Sequence, residues 1–156
     1  MANYIEAKVA YEKTTENGLQ KKVTEQYLVD AMSFTEAEER ITSEMSAFIS
    51  GEFEVSAVKK FKVSEIFFDE SDSADRFFKA KLAFITIDEK SLSEKRSNVN
   101  YLIQAATFED AFKRIKSEMG NTMNDYVIVS INETMIMDVY KYQPKEEKKD
   151  ESEAVL

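Results

Sequence analysis

The sequence predicts an α+β fold made by tandem duplication of a β-β-α-β unit, its strands forming an antiparallel sheet with two helices on one face. Three observations carry that expectation. The first is an internal echo: Tyr27–Met45 reads YLVDAMSFTEAEERITSEM and Tyr101–Met119 reads YLIQAATFEDAFKRIKSEM, with ten of nineteen positions identical. The identities include Tyr27/Tyr101, Leu28/Leu102, Phe34/Phe108, Arg40/Arg114, Ile41/Ile115, Glu44/Glu118 and Met45/Met119. Average composition gives about one match by chance. The second is period-two apolar patterning before each echo segment, and the third is a helix-capping signature inside each one.

The elements follow in order. Ile5, Ala7, Val9 and Tyr11 alternate with Glu6, Lys8 and Glu12, the pattern of a half-buried strand. Asn17-Gly18 comes next, a hairpin signal of the type I′ kind, because that turn needs positive φ at both central positions. Lys22 to Ala31 returns as the second strand. Phe77–Ile87 and Val99–Ala105 are the matching pair, joined through Asp88-Glu89-Lys90-Ser91 by a hairpin one residue different in length.

Ser33-Phe34-Thr35-Glu36 and Thr107-Phe108-Glu109-Asp110 both fit the S/T-x-x-acid start of a helix. Phe34, Ala37, Ile41, Met45 and Phe48 form one inward stripe, and Phe108, Ala111, Ile115 and Met119 the other. Gly51 and Gly120 are expected to end the helices. Each half closes with extended sequence, Phe53–Phe68 and Tyr126–Tyr142, long enough to be one bent strand or two short ones broken near Lys59-Lys60 and Asn132-Glu133. Val127-Ile128-Val129 is apolar on both faces and is expected to lie centrally. Asp69–Asp75, DESDSAD, reads as a solvated connector.

The expected organisation is a single domain over residues 1–143, made of pseudo-symmetric repeats 1–68 and 76–143, with a disordered acidic tail over 144–156. The runner-up is two separate small sheets with one helix each. The net charge is −9. Residues 1–70 hold 8 basic and 14 acidic side chains, net −6, whereas residues 71–143 hold 10 and 11, net −1. That balance argues against non-specific duplex binding, which runs on phosphate neutralisation. MANYIEAKVA has neither a basic nor an apolar leader region, and no apolar run approaches membrane-spanning length, so a cytoplasmic location away from membranes is expected.

The inventory for catalysis is thin. There is no histidine and no cysteine, which removes the commonest general base, the commonest metal ligands and the thiolate nucleophile. Three glycines leave no phosphate-cradling loop. Glu36, Glu38 and Glu39 suit a first helical turn, where the macrodipole favours acids. Asp69, Asp72 and Asp75 lack the glycine and distal glutamate of a calcium loop. No enzyme activity, cofactor or metal is expected.

The candidate surface is instead cationic and aromatic: Lys8, Lys59, Lys60, Phe61, Lys62, Lys79 and Lys81. Lysines interleaved with rings suit single-stranded nucleic acid, cations meeting phosphates while rings stack on bases. The plain alternative is that they solvate the outer sheet face and blunt edge strands. An acidic tail would compete for such a groove or recruit partners. The alternative function is a protein-interaction or regulatory module, compatible with a homodimer, that uses the acidic first half or the tail.

The stretches Lys8–Lys13, Glu16-Asn17-Gly18, Lys21–Glu25, Tyr27–Ala31, Ser33–Glu38 and Ile49–Phe53 resemble a family of domains of unknown function from gut-associated anaerobic bacteria and their phages. The likeness extends to about Tyr142 and is more specific in the first half. It implies a host context, with no catalytic residue to carry over.

Overall fold

The computed structural model describes residues 3–142. The first stretch comprises β1 (Tyr4–Thr14), β2 (Gln20–Asp30), α1 (Phe34–Ser46), β3 (Phe53–Lys60) and β4 (Glu65–Phe67). The second comprises β5 (Arg76–Ile87), β6 (Glu94–Ala105), α2 (Phe108–Glu118), β7 (Asp125–Glu133) and β8 (Ile136–Tyr140). The fold is therefore mixed α+β, with eight strands in two four-stranded sheets among the described residues. The tail expected over 144–156 lies outside those residues.

Local chemistry explains the element starts. Ser33 Oγ accepts the Glu36 amide at 3.1 Å, and the Glu36 carboxylate reaches back to the Met32 amide at 3.1 Å. Thr107 Oγ1 accepts the Asp110 amide at 3.1 Å. Both caps satisfy amide donors that a helix leaves orphaned. The extended stretches that close each half divide into two strands after Lys60 and after Glu133. A separate register shift interrupts the β1–β3 ladder at Lys8/Val9 and the β5–β7 ladder at Lys81/Leu82.

The sheets differ from the expected arrangement. A single antiparallel sheet carrying both helices on one face is replaced by two sheets with one helix packed on each. The first sheet runs β3-β1-β2-β8 and the second β4-β6-β5-β7. The final strand of each stretch thus joins the sheet built by the other. The β4–β6 pairing is parallel. Strands that follow a long connection need not return antiparallel, which patterning cannot report.

The chain separates into two compact units, one of residues up to Lys60 together with those from Asp138 on, the other Phe61–Met137. In the first, Ile5, Ala7, Val9, Tyr27 and Val29 pack on Ala37, Ile41 and Met45 of α1. In the second, Phe78, Ala80, Leu82, Tyr101 and Ile103 pack on Ala111 and Ile115 of α2, with Met119 following. Ile41 and Ile115 are both 0% exposed.

A repeated clamp holds each incoming strand. In the first unit Arg40 donates to Glu44 at 3.0 Å and to the Lys141 carbonyl at 3.0 Å, with its guanidinium 5.8 Å from the Tyr140 ring centre. Tyr140 stacks on Tyr27 at 6.0 Å. In the second unit Arg114 donates to Glu118 at 2.8 Å and to the Phe68 carbonyl at 3.1 Å, and lies 5.7 Å from the Phe67 ring centre. Phe67 stacks on Tyr101 at 5.5 Å. The planar guanidinium suits this double task of ring contact and hydrogen bonding.

Several local expectations are corrected. Phe34, Phe48 and Phe108 are exposed rather than inward, because each lies at or beyond a helix end where the stripe has turned to solvent. Gly51 and Gly120 are not left-handed helix caps: α1 ends at Ala47 and α2 at Met119, both right-handed. The first hairpin is not type I′. Gly18 has φ 78° and Asn17 does not share the positive region, and the Gly18 amide returns to the Thr15 carbonyl at 3.0 Å. Leu92, φ 58°, plays the corresponding part in the second hairpin, whose loop is longer by one residue. The β7 strand is an edge strand with Val127 and Val129 exposed, not a central one, because β5 and β6 are the strands flanked on both sides. The 69–75 connector is solvated as expected, with residues 70–73 and Asp75 exposed, and its two ends are held by Gln104, which accepts the Asp69 amide at 3.1 Å and donates to the Ala74 carbonyl at 3.0 Å.

Candidate nucleic-acid interface

The candidate residues arise from strand alternation. On β5, Phe78, Ala80 and Leu82 face the α2 core, so Lys79 and Lys81 fall on the opposite face. Across the ladders Lys81 stands opposite Asn100 on β6 and Ser130 on β7, and Lys79 stands opposite Asn132. These five residues line one hollow of about 250 Å³. Among the described residues no carboxylate lines it. The Lys79 ammonium lies 5.6 Å from the Phe61 ring centre. Lys62 is exposed beside Phe61.

The other three lysines belong to the first unit. Lys8 on β1 is half-buried, while Lys59 and Lys60 end β3 and are exposed. Lys59 stands opposite Glu6 in the β1–β3 register, with its ammonium 3.5 Å from the Glu6 carboxylate. Glu6 is 6% exposed and is the one buried charged residue in the described chain. A buried carboxylate needs such a partner, so Lys59 has a structural task apart from any ligand. The seven candidates therefore divide between the units, and Lys79 and Lys81 are the two that share a wall.

Asn100, Ser130 and Asn132 were not legible as site residues, since scattered amides and hydroxyls carry no spacing signal. Arg40 and Arg114 were legible in part. Both stand among the ten identities, and neither belongs to an inward apolar stripe, so packing alone does not account for them.

Tyrosines dominate the titration behaviour. Burial pushes the Tyr27 hydroxyl far above its ordinary value, helped by the charge of Glu25, to which it donates at 3.1 Å. Tyr140 is pushed up to about 12 by burial and by the nearby Asp138 and Glu44 carboxylates, with Arg40 opposing. Burial, then Glu65, raises Tyr101, against a hydrogen bond with Ser64. Asp69 is held below the usual carboxylate range by hydrogen bonds from Ser71. None of these groups lines the lysine hollow. No set of three or more acidic side chains is gathered closely enough to hold a metal ion among the described residues. No helix among them is long and apolar enough to cross a membrane.

The chain belongs to a family of domains of unknown function, DUF4494, whose family model matches residues 3–142. No curated protein and no solved structure matches it.

Proposed function

We propose that this DUF4494 member is a non-enzymatic binding protein whose second sheet takes single-stranded nucleic acid, with phosphates on Lys79 and Lys81. The observation that carries this reading is the hollow lined, among the described residues, by Lys79, Lys81, Asn100, Ser130 and Asn132 and by no carboxylate, in a chain of net charge −9. Two cations meet phosphate oxygens, and the amides and hydroxyl donate to the remaining oxygens. Phe61 supplies a ring for a base once the Lys79 ammonium turns to a phosphate, and Lys62 extends the charged track. Lys60 and Lys8 add a second, weaker contribution from the first unit, while Lys59 stays with Glu6. The acidic segment 144–156 competes for the same cations.

The absence of histidine and cysteine from the sequence supports a role without catalysis. The repeated element order and the ten identities support descent from a duplicated β-β-α-β unit. The resemblance noted above supports a role in an anaerobic gut bacterium or its phage. A protein-interaction role is the second reading. It is favoured by the outer edge of β7, which pairs with no further strand among the described residues and where Val127 and Val129 are exposed.

The test is fluorescence anisotropy with labelled single-stranded DNA and RNA, using the full chain and a version lacking 144–156. Binding at micromolar protein in low salt is expected, tighter without the tail. Lys79→Gln and Lys81→Gln should each flatten the log–log salt dependence by about 0.7. Absence of binding in both versions sinks this reading and leaves the protein-interaction role.

A further inference from the structure

We propose that β8 is an exchangeable strap, and that a second copy of this chain can supply it, giving a reciprocally swapped dimer. The receiving groove lies along the β2 edge of the first unit, between Tyr27 and Arg40. What it recognises can be read from two examples within one chain. The strap seated there is Asp138-Val139-Tyr140-Lys141, and the strap seated in the corresponding groove of the second unit is Glu65-Ile66-Phe67-Phe68. Both run acid, β-branched aliphatic, aromatic, then a residue whose carbonyl receives the arginine. Both rings stack on a tyrosine, at 6.0 and 5.5 Å, and both face a guanidinium, at 5.8 and 5.7 Å. Both arginines take a main-chain carbonyl, at 3.0 and 3.1 Å.

Such a groove reads a backbone carbonyl and an aromatic ring. Both are identical in every copy of β8, so a strap from a second chain makes the same contacts as the resident one. The resident strap is favoured only by its effective concentration, which high protein concentration offsets. The strap is also short. β8 has five residues, of which Ile136 and Val139 are buried, and such elements open at a lower free energy than core strands. The link from β7 is Thr134-Met135, and Thr134 is held to the Phe77 carbonyl through both its amide, at 2.9 Å, and its hydroxyl, at 2.8 Å. Those bonds lie on the β7 side of the hinge, and a link of only two residues leaves little slack for folding back, which favours exchange between copies. This inference is independent of the nucleic-acid reading, since it uses neither Lys79 nor Lys81.

The test pairs two variants of the full chain, one isotopically heavy. Arg40→Ala breaks the groove and keeps the strap, while Tyr140→Ala breaks the strap and keeps the groove. Mixed and incubated in mild urea, then returned to buffer, they should form heterodimers about fivefold above the statistical level by native mass spectrometry. Exchange restores one intact Arg40–Tyr140 clamp and confines both defects to the other. The wild type, which needs no tolerance of a substitution, is the second arm. After the same incubation at high concentration it should yield a dimer by light scattering that persists for hours on dilution. A wild type that stays monomeric overturns the proposal, as does a statistical ratio of dimers from the mixed variants.

Discussion

Each incoming strand is held by one arginine whose guanidinium serves two partners at once. Arg40 and Arg114 satisfy a main-chain carbonyl while covering an aromatic ring, and Glu44 and Glu118 hold them in place one helical turn away. That explains why arginine and glutamate, exposed types by habit, stand among the ten identities. The same cluster sets an alkaline limit. Tyr27 and Tyr140 have raised values in the fold, Tyr140 up to about 12, whereas unfolded tyrosines ionise near about pH 10. Their contribution is complete below about pH 10 and is lost as pH rises toward the folded values. Denaturant unfolding followed across that range should show falling stability, with a smaller fall in Tyr140→Phe. A slope unchanged in that variant would place the effect elsewhere. Leu92 is the opposite case, a residue at odds with its backbone. Its φ of 58° is the left-handed region, and its side chain is 79% exposed, so no side-chain packing offsets the strain. Leu92→Asn should raise stability by about 1 kcal/mol in chemical denaturation, and a loss would show that the leucine packs in solution.

At the scale of elements, helix starts were readable and helix ends were not. Ser33 and Thr107 cap as their motifs require, and their replacement by alanine should cost about 1 kcal/mol each. The inward stripes were readable through Ala37, Ile41 and Met45 and through Ala111 and Ile115, but failed at Phe34, Phe48 and Phe108. Period alone cannot say where a helix leaves the sheet. Ile41→Ala and Ile115→Ala should each cost about 3 kcal/mol, read as a shift of the denaturation midpoint. Matching losses are expected because the two isoleucines are equally buried. A loss near zero at either would mean that its helix packs differently in solution. Hairpins were legible as hairpins, while their turn types were not, since one positive φ at Gly18 or Leu92 closes a loop longer than two residues.

At the scale of the molecule, the exchange of final strands makes the fold depend on the whole chain. Residues 1–75 alone lack the strand that completes their sheet, and residues 76–143 lack β4. Expressed separately, each piece should lose cooperative thermal unfolding, and mixing the two should restore it. Two pieces that melt separately at the full chain's temperature would refute this. Removal of 144–156, by contrast, should leave the melting temperature unchanged, since those residues carry few apolar side chains, and a marked drop would show that they dock. The sequence by itself determined the α+β composition, the element types, the caps, the hairpin positions and the buried isoleucines, because these rest on periodicity and local hydrogen bonding. It also singled out Lys79 and Lys81, although not that they share a wall, because strand spacing places i and i+2 on one face but says nothing of the neighbours across the ladder. Only the tertiary structure decided that there are two sheets, that β4 and β8 join the sheets they do, that Glu6 is paired with Lys59, and that β7 is an edge. All four depend on which strands meet, and β-strand pairing joins residues far apart in sequence through backbone groups that every residue carries alike.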